Sequence, residues 1–72
     1  MYMVQVNLDE ATVRLSKAEL VIVNNALNEV CHGIDVPEFA TRIGTSIQEV
    51  SKLLEDVNRL LGHHVLNQQP LD

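Results

Sequence analysis

The amino-acid sequence predicts an α+β fold in which an N-terminal antiparallel β-hairpin packs on three helices, in the order β-β-α-α-α. Two observations lead to this prediction. Up to residue 15 the apolar and polar residues alternate, which is the period of a half-buried strand. After residue 16 the apolar residues recur at intervals of three and four, as they do on one face of a helix.

The length of 72 residues limits what the chain can build. We expect a single domain over 1–72, because a second core has no room. A chain this short buries only about 60% of the surface that its unfolded form exposes. Cys31 is the only cysteine, so no disulfide compensates for the small core, and self-association as a homodimer is the remaining route to stability. A single free cysteine also favours a cytoplasmic location.

Charge and hydropathy argue against several classes of protein. The net charge of −5 disfavours an ordinary nucleic-acid-binding protein and suits an acidic one. No stretch approaches the roughly 18 apolar residues that a membrane span needs, so we expect no membrane association. The N-terminal segment has neither a basic region nor a cleavage site, and we do not expect it to be a signal peptide.

The hairpin is predicted over residues 2–15. If Asp9 and Glu10 form a two-residue turn, all the apolar side chains of both strands point to one side of the hairpin. The opposing pairs are then Leu8 with Ala11, Val6 with Val13 and Val4 with Leu15, while Tyr2 lies on the same face. A longer loop is an open alternative, because glutamate resists the positive φ of a tight hairpin turn.

Helix one is predicted over residues 17–32. Ser16 and Glu19 fit a capping box, in which the two side chains satisfy each other's amide groups. The inner stripe of this helix is Leu20, Val23, Leu27 and Val30. Gly33 is expected to end the helix as a left-handed cap, and Ile34 to make the hydrophobic contact that accompanies such a cap.

Helix two is predicted over residues 36–43. Asp35 and Glu38 have the spacing of another capping box, and Pro37 lies in the first turn, where its missing N–H costs little. Gly44 is expected to end this helix.

Helix three is predicted over residues 47–61, after a box-like start at Ser46. Its apolar stripe continues to Leu61, and Gly62 is expected to stop it. Residues 63–72 show no period, so we expect a tail in which Val65 and Leu66 form at most a short strand.

The segment 36–54, VPEFATRIGTSIQEVSKLL, resembles the helix-turn-helix family. Ala40 matches the small residue where the two helices of that family cross, and Gly44 matches the residue that tolerates the turn. Its apolar positions that fix the second helix are matched by Ile47, Val50 and Leu53. The resemblance implies that the last two helices are arranged as a helix-turn-helix.

A DNA-binding transcriptional regulator is therefore one alternative function. In the family the second helix reads the major groove, and the corresponding candidate DNA contacts are Gln48, Ser51, Lys52 and Arg59. Residues 35–62, however, hold five acids and three bases. Each base has an acid one helical turn away: Glu38 with Arg42, Lys52 with Asp56, and Glu55 with Arg59. We therefore prefer a solvated surface with intrahelical ion pairs.

A longer segment, ELVIVNNALNEVCHGIDVPEFATRIG, looks like a group of small bacterial proteins of uncharacterised function. Those proteins often carry similar NALNEV and EF-x-TR-x-G segments. This resemblance implies no activity and no functional residue.

Catalytic, cofactor-binding and metal-binding residues are not expected. The acids scatter over polar faces, and no Ser/His/Asp set or glycine-rich phosphate loop is present. Cys31 and His32 are neighbours, so on a helix their side chains point about 100° apart and cannot act as a nucleophile and base. Cys31 is interpreted as a buried apolar residue. His63 and His64 are interpreted as cations near a helix C-terminus.

Helix one supplies the candidate protein contacts. They are the polar Asn24, Asn25 and Asn28, together with Val21 and Ile22, which lie outside the inner stripe. A helix that is apolar on more than one side is usually buried on more than one side. The preferred function is a small, acidic, non-enzymatic module that acts through protein–protein contacts. A second alternative is an antitoxin or immunity-type neutraliser of a basic protein, which the negative charge allows.

Overall fold

The computed structural model describes the backbone of residues 1–68 and the side chains of residues 1–62. A π-helical turn, Glu29–Gly33, extends the first helix. The elements are β1 (Tyr2–Val6), β2 (Ala11–Arg14), α1 (Lys17–Asn28), α2 (Phe39–Ile43) and α3 (Ile47–Gln68). This order confirms the predicted β-β-α-α-α layout.

The turn between the strands is built around Asn7. The Asn7 side-chain oxygen accepts hydrogen bonds from the amides of Asp9 and Glu10, both at 2.9 Å. The Asn7 amide donates to the Glu10 carbonyl at 3.0 Å. An asparagine can organise a turn in this way through its own side chain. The predicted Asp9-Glu10 turn is therefore wrong, and Leu8, expected to face β2, is fully exposed.

The strand register also differs from the predicted one. Val6 lies opposite Ala11, and Met3 lies opposite Val13, with a β-bulge at Val4. The bulge shifts the alternation of β1, so Met3 and Val6 share a face with Ala11 and Val13.

The other face of the hairpin is more polar. It carries Gln5 and Thr12, which oppose each other, and Tyr2 and Arg14, which also oppose each other. The Arg14 guanidinium lies 5.7 Å from the centre of the Tyr2 ring. The prediction that Tyr2 shares the face of Val6 is wrong, because the bulge lies between them.

α1 begins as predicted. The Glu19 amide donates to the Ser16 hydroxyl at 3.1 Å, and the Ser16 amide donates to the Glu19 carboxylate at 2.9 Å, which completes the capping box. The end differs, because Gly33 does not adopt a positive φ. The Ile34 amide still donates to the Glu29 carbonyl at 2.9 Å. A π-helical turn makes this bond without a left-handed residue, so the predicted left-handed cap is wrong.

α2 is shorter than the predicted helix at 36–43. Pro37 disfavours a helical conformation in the residue before it, and Glu38 has a left-handed φ of 54°. The helix can therefore start only at Phe39. The cap predicted at Asp35 is absent, because the residue before the helix is Glu38 and no side chain caps it.

The C-terminal end of α2 and the N-terminal cap of α3 are as predicted. Gly44 ends α2 with a φ of 97°. The Glu49 amide donates to the Ser46 hydroxyl at 3.2 Å, which caps α3.

α3 continues past the predicted end at Leu61 and reaches Gln68. Gly62 does not adopt a positive φ. A glycine inside a helix costs only about 1 kcal/mol relative to alanine, so one glycine does not stop a long helix. The short strand predicted around Val65 is therefore wrong, and residues 69–72 of the predicted tail lie outside the described residues.

The core lies where α1 and the π-helical turn pack against α3. The buried apolar side chains are Cys31, Val50, Leu54 and Val57, with Leu27 and Phe39 partly buried beside them. Ile47 and Leu53, which were expected to pack inside, are exposed.

The helices leave the hairpin uncovered, and every residue of both strands is exposed. The radius of gyration is 14.5 Å, whereas a compact domain of this length has a radius of about 11 Å. The fold therefore has an open shape, with principal extents of 47 × 31 × 17 Å.

Candidate protein-contact surface

Val21 and Ile22 lie on the side of α1 that is turned away from the core. Val21 is 38% exposed and Ile22 is 66% exposed. The structure therefore leaves both predicted apolar contact residues accessible to another molecule.

Ile22 borders a groove between α1 and the base of the hairpin. The groove has a volume of about 320 Å³ and is lined by Met1, Leu15, Glu19, Ile22 and Val23. Four of these side chains are apolar, so the groove offers mainly hydrophobic contact.

Glu19 is the only charged side chain of the groove. Its carboxylate accepts hydrogen bonds from the Met1 ammonium group and from the Ser16 amide. These bonds, above all the one from the ammonium group, hold the pKa of Glu19 below its ordinary value. The carboxylate is thus occupied within the chain.

The apolar face of the hairpin is open as well. Met3 is 65% exposed, Val6 is 57% exposed and Val13 is 41% exposed. Leu15 follows β2 directly in the chain and lines the groove together with Ile22. We call the set Met3, Val6, Val13, Leu15 and Ile22 the hairpin–α1 surface.

Sequence reasoning missed the hairpin part of this surface. The alternation of β2 predicts a half-buried strand with an internal apolar face, whereas the structure leaves every residue of this strand exposed. The three asparagines predicted as protein contacts differ in exposure. Asn25 and Asn28 are exposed, whereas Asn24 is half-buried and its Oδ1 atom is fully buried without a hydrogen-bond donor.

The candidate DNA contacts on α3 do not form one outward set. Gln48 and Lys52 are exposed. Ser51 is half-buried, and its hydroxyl donates to the Cys31 sulfur at 3.7 Å. Arg59 is exposed but forms an ion pair at 3.4 Å with Asp56.

The ion pairs around α3 differ from those predicted. Arg59 pairs with Asp56, three residues away, in place of Glu55. Within residues 1–62, Glu38 and Arg42 form no ion pair, and neither do Lys52 and Asp56. Exposed pairs gain little, since their side chains lose entropy and water screens the charges.

Ala40 does not lie in a tight helix crossing. The helix-turn-helix resemblance places a small buried residue here, but Ala40 is exposed. α2 begins late, at Phe39, and it is Phe39 that packs beside the core.

Cys31 is a free, buried cysteine, as its apolar neighbours predicted. Among the described residues, no three His, Cys, Asp or Glu side chains come together in a group that could hold a metal ion. The side chains of His63 and His64 lie outside the described ones. None of the helices in the described part of the chain has the length and apolarity of a membrane span.

Comparisons with protein-family models, with curated proteins and with solved structures find no match for this chain.

Proposed function

We propose that this chain is a small, acidic, non-enzymatic module that acts in the cytoplasm through protein–protein contacts at the hairpin–α1 surface. One observation carries the proposal. The chain exposes large apolar side chains on its hairpin and on α1, while only Cys31, Val50, Leu54 and Val57 are buried among its described apolar residues.

The amount of open surface supports this function. The accessible surface is 5908 Å², about 1,400 Å² more than a compact monomer of this mass exposes. A specific protein interface of ordinary size buries about 800 Å² on each partner. The excess is therefore large enough to supply one side of such an interface.

The chemistry of the surface points the same way. Covering apolar area gains about 25 cal/mol for each Å² removed from water. The hairpin–α1 surface has no charged member, and depletion of charge is typical of interface centres. Glu19 at its edge is already paired with the Met1 ammonium group, so a partner need not supply a cation there.

The geometry of α3 favours protein contacts over DNA. Of the four candidate DNA contacts, Ser51 turns toward Cys31 and Arg59 is paired with Asp56. That leaves Gln48 and Lys52 as exposed and unpaired candidates on this helix.

A pair of charge insertions on α1 tests the proposal. Ile22→Glu places a carboxylate on the α1 side of the hairpin–α1 surface, beside the groove, and Asn25→Glu places one at an exposed polar position of the same helix. Each tagged chain, wild type or variant, is expressed in the native host together with an untagged copy of the wild-type chain. After cross-linking, the tagged chain is purified, and the proteins that are recovered with it are measured.

We expect Ile22→Glu to reduce the associated protein, whether another copy or a different chain, by at least tenfold. Asn25→Glu is expected to retain it, and circular dichroism checks that both variants fold. The proposal is wrong if the wild type associates with nothing, or if the two variants behave alike.

A further inference from the structure

We infer that the partner at the hairpin–α1 surface is an amphipathic helix of another protein, with lysine and arginine along the borders of its apolar stripe. The inference rests on the proposed function, because it names the chemistry of the partner that binds the same surface. The shape of the surface favours a helix, and the charges around it favour a basic one.

The groove beside Ile22 is the end of the hairpin's apolar face that α1 reaches. Tyr2 opposes Arg14 on the polar side, at the base of the hairpin. Successive side chains of a strand point to opposite sides, so Met1 and Leu15, one residue further on, point to the apolar side. Both line the groove together with Ile22. The apolar face therefore meets α1 at the groove, and one occupant can contact both.

The open part of this face has the size of one helix. Met3 and Val6 lie three residues apart in β1, which corresponds to about 10 Å along a strand. Val13 widens the face by one strand, about 5 Å away. A helix with its side chains is about 10–12 Å across. A single helix therefore covers all three side chains.

A strand would leave the same side chains exposed. A two-stranded hairpin is marginally stable in water and needs further strands or a helix packed against it. A strand added at an edge widens the sheet, but Met3, Val6 and Val13 stay in water, whereas a helix laid on the face covers them. The described helices of this chain pack elsewhere, α1 on α3 and α2 through Phe39 at the core. The covering helix is therefore a partner's.

The charged side chains at both ends of the surface are acidic. Asp9 and Glu10 are exposed in the turn that closes the hairpin beyond Val6. Glu29, also exposed, follows Ile22 by seven residues. Seven residues are about two helical turns, so these two residues lie on the same side of the helix. An incoming helix therefore meets carboxylates at either end of the apolar area.

The nearest bases lie on other sides. Arg14 belongs to the polar face of the hairpin, where its guanidinium lies over the Tyr2 ring. Lys17 precedes Ile22 by five residues, which places it about 140° away around α1. Complementary charge selects partners and speeds their encounter. A basic helix complements the acids of this surface, whereas a second copy of the chain would bring the same acids to them.

Three synthetic peptides test the inference. The lysine-bordered peptide has about 18 residues, or ~27 Å of helix, with a leucine stripe at helical spacing and lysines along both borders. The second peptide has glutamates in place of the lysines, and the third carries the residues of the first in an order without a stripe. Fluorescence anisotropy with the purified full chain gives the Kd of each labelled peptide, and circular dichroism measures the helix formed on binding.

We expect the lysine-bordered peptide to bind at least tenfold more tightly than either of the other two, and to gain helix when it binds. Added salt should weaken this binding, because the charges at the ends of the surface are exposed to solvent and are screened.

Two neighbouring residues of β2 test the face. Val13→Gln removes an apolar side chain from the surface, and Thr12→Gln places the same polar side chain on the opposite face. Both positions are exposed, so both variants should fold, which circular dichroism checks. We expect Val13→Gln to weaken binding of the lysine-bordered peptide at least tenfold, and Thr12→Gln to change it less than threefold.

A second pair of variants tests the charges. Asp9→Asn combined with Glu10→Gln removes both carboxylates of the turn, which is held by the Asn7 side chain and main-chain amides. Glu55→Gln combined with Asp56→Asn removes the same charge from exposed positions of α3. We expect the turn variant to weaken binding of the lysine-bordered peptide at least tenfold at low salt, and the α3 variant less than threefold.

The other outcomes overturn the inference. Equal binding of the peptide without a stripe would reduce the interaction to general charge attraction, and equal binding of the glutamate-bordered peptide would remove the role of the acids. A lysine-bordered peptide that does not bind, or that binds without gaining helix, would exclude a helix as the occupant. A wild-type chain that dimerises and thereby excludes the peptide would assign the surface to a second copy.

The proposed function fails separately. If association in the host depends on Ile22 while the lysine-bordered peptide does not bind, the proposed function stands and the chemistry inferred for the partner is wrong. If the peptide binds as expected but no association in the host depends on Ile22, the surface accepts such a helix and the proposed function is wrong.

Discussion

The Ser51 hydroxyl donates to the Cys31 sulfur at 3.7 Å, which links the first turns of α3 to the π-helical turn that follows α1. The contact lies beside Val50 and Leu54, two of the most buried side chains of the structure. Ser51 is thus part of the packing between helices. Ser51, one of the candidate DNA contacts on α3, therefore contacts the core and does not face outward.

The chain is expected not to bind duplex DNA tightly at physiological salt. DNA affinity comes largely from Lys and Arg at phosphates, and the chain has five such residues against ten acids. Selection from a random duplex library at ~100 mM salt measures this over all sequences. An enriched motif with a nanomolar Kd that is lost in Lys52→Ala would contradict the prediction. Ser51→Ala serves as the control, since Ser51 faces Cys31.

Leu54→Ala is expected to lower the free energy of unfolding much more than Ala40→Leu does. Leu54 is 5% exposed, and truncating such a residue to alanine costs about 2–5 kcal/mol. Ala40 is exposed, and a surface substitution such as Ala40→Leu changes stability by less than about 0.5 kcal/mol. Urea unfolding of both variants measures the difference. A large loss in Ala40→Leu would instead place Ala40 in a tight helix crossing.

Asn24→Leu is expected to stabilise the chain. The buried Oδ1 atom of Asn24 has no donor, and an unsatisfied buried polar group costs about 1–3 kcal/mol. Each kcal/mol raises the Tm of a small domain by about 4–8 °C. Asn25→Leu, at an exposed position, is the control and should change the Tm little. A lower Tm in Asn24→Leu would mean that the amide has a donor in solution.

Acid is expected to remove the stabilising contribution of Glu19. Its pKa is lowered in the folded chain by the Met1 ammonium group and the Ser16 amide. The contribution is therefore complete above the ordinary value of 4.5 and is lost as the pH falls through the lower folded pKa. The Tm difference between wild type and Glu19→Gln should shrink over this range.

Ser46→Ala provides the comparison for that experiment. It removes the uncharged cap of α3, where the Ser46 hydroxyl accepts from the Glu49 amide and does not contact Glu19, so it should cost about 1 kcal/mol at every pH. A Tm difference for Glu19→Gln that stays constant between neutral and acidic pH would show that the charge of Glu19 contributes nothing.

Features set by neighbouring residues could be predicted from the sequence. The capping box of Ser16 and Glu19 and the left-handed Gly44 each depend on bonds or angles within four residues. The element order follows from hydrophobic period, which is also local. Accessibility of Val21 and Ile22 followed as well, because both lie outside the inner stripe of α1.

Features for which two local conformations were both possible could not be predicted from the sequence. The side chain of Asn7 organised the turn, and this set the register that the alternation alone left open. At Gly33 a π-helical turn and a left-handed cap can form the same bond to Glu29, and nothing near it in the sequence chooses between them.

The sequence by itself determined the order of the elements and the inner stripe of α1. Only the tertiary structure decided which apolar faces are covered, because coverage depends on where α1 crosses α3. Val50, Leu54 and Val57 meet that crossing and are buried, while Leu53 in the same helix does not and stays exposed. The apolar face of the hairpin also stays exposed, because α1 and α3 pack against each other and not against the strands.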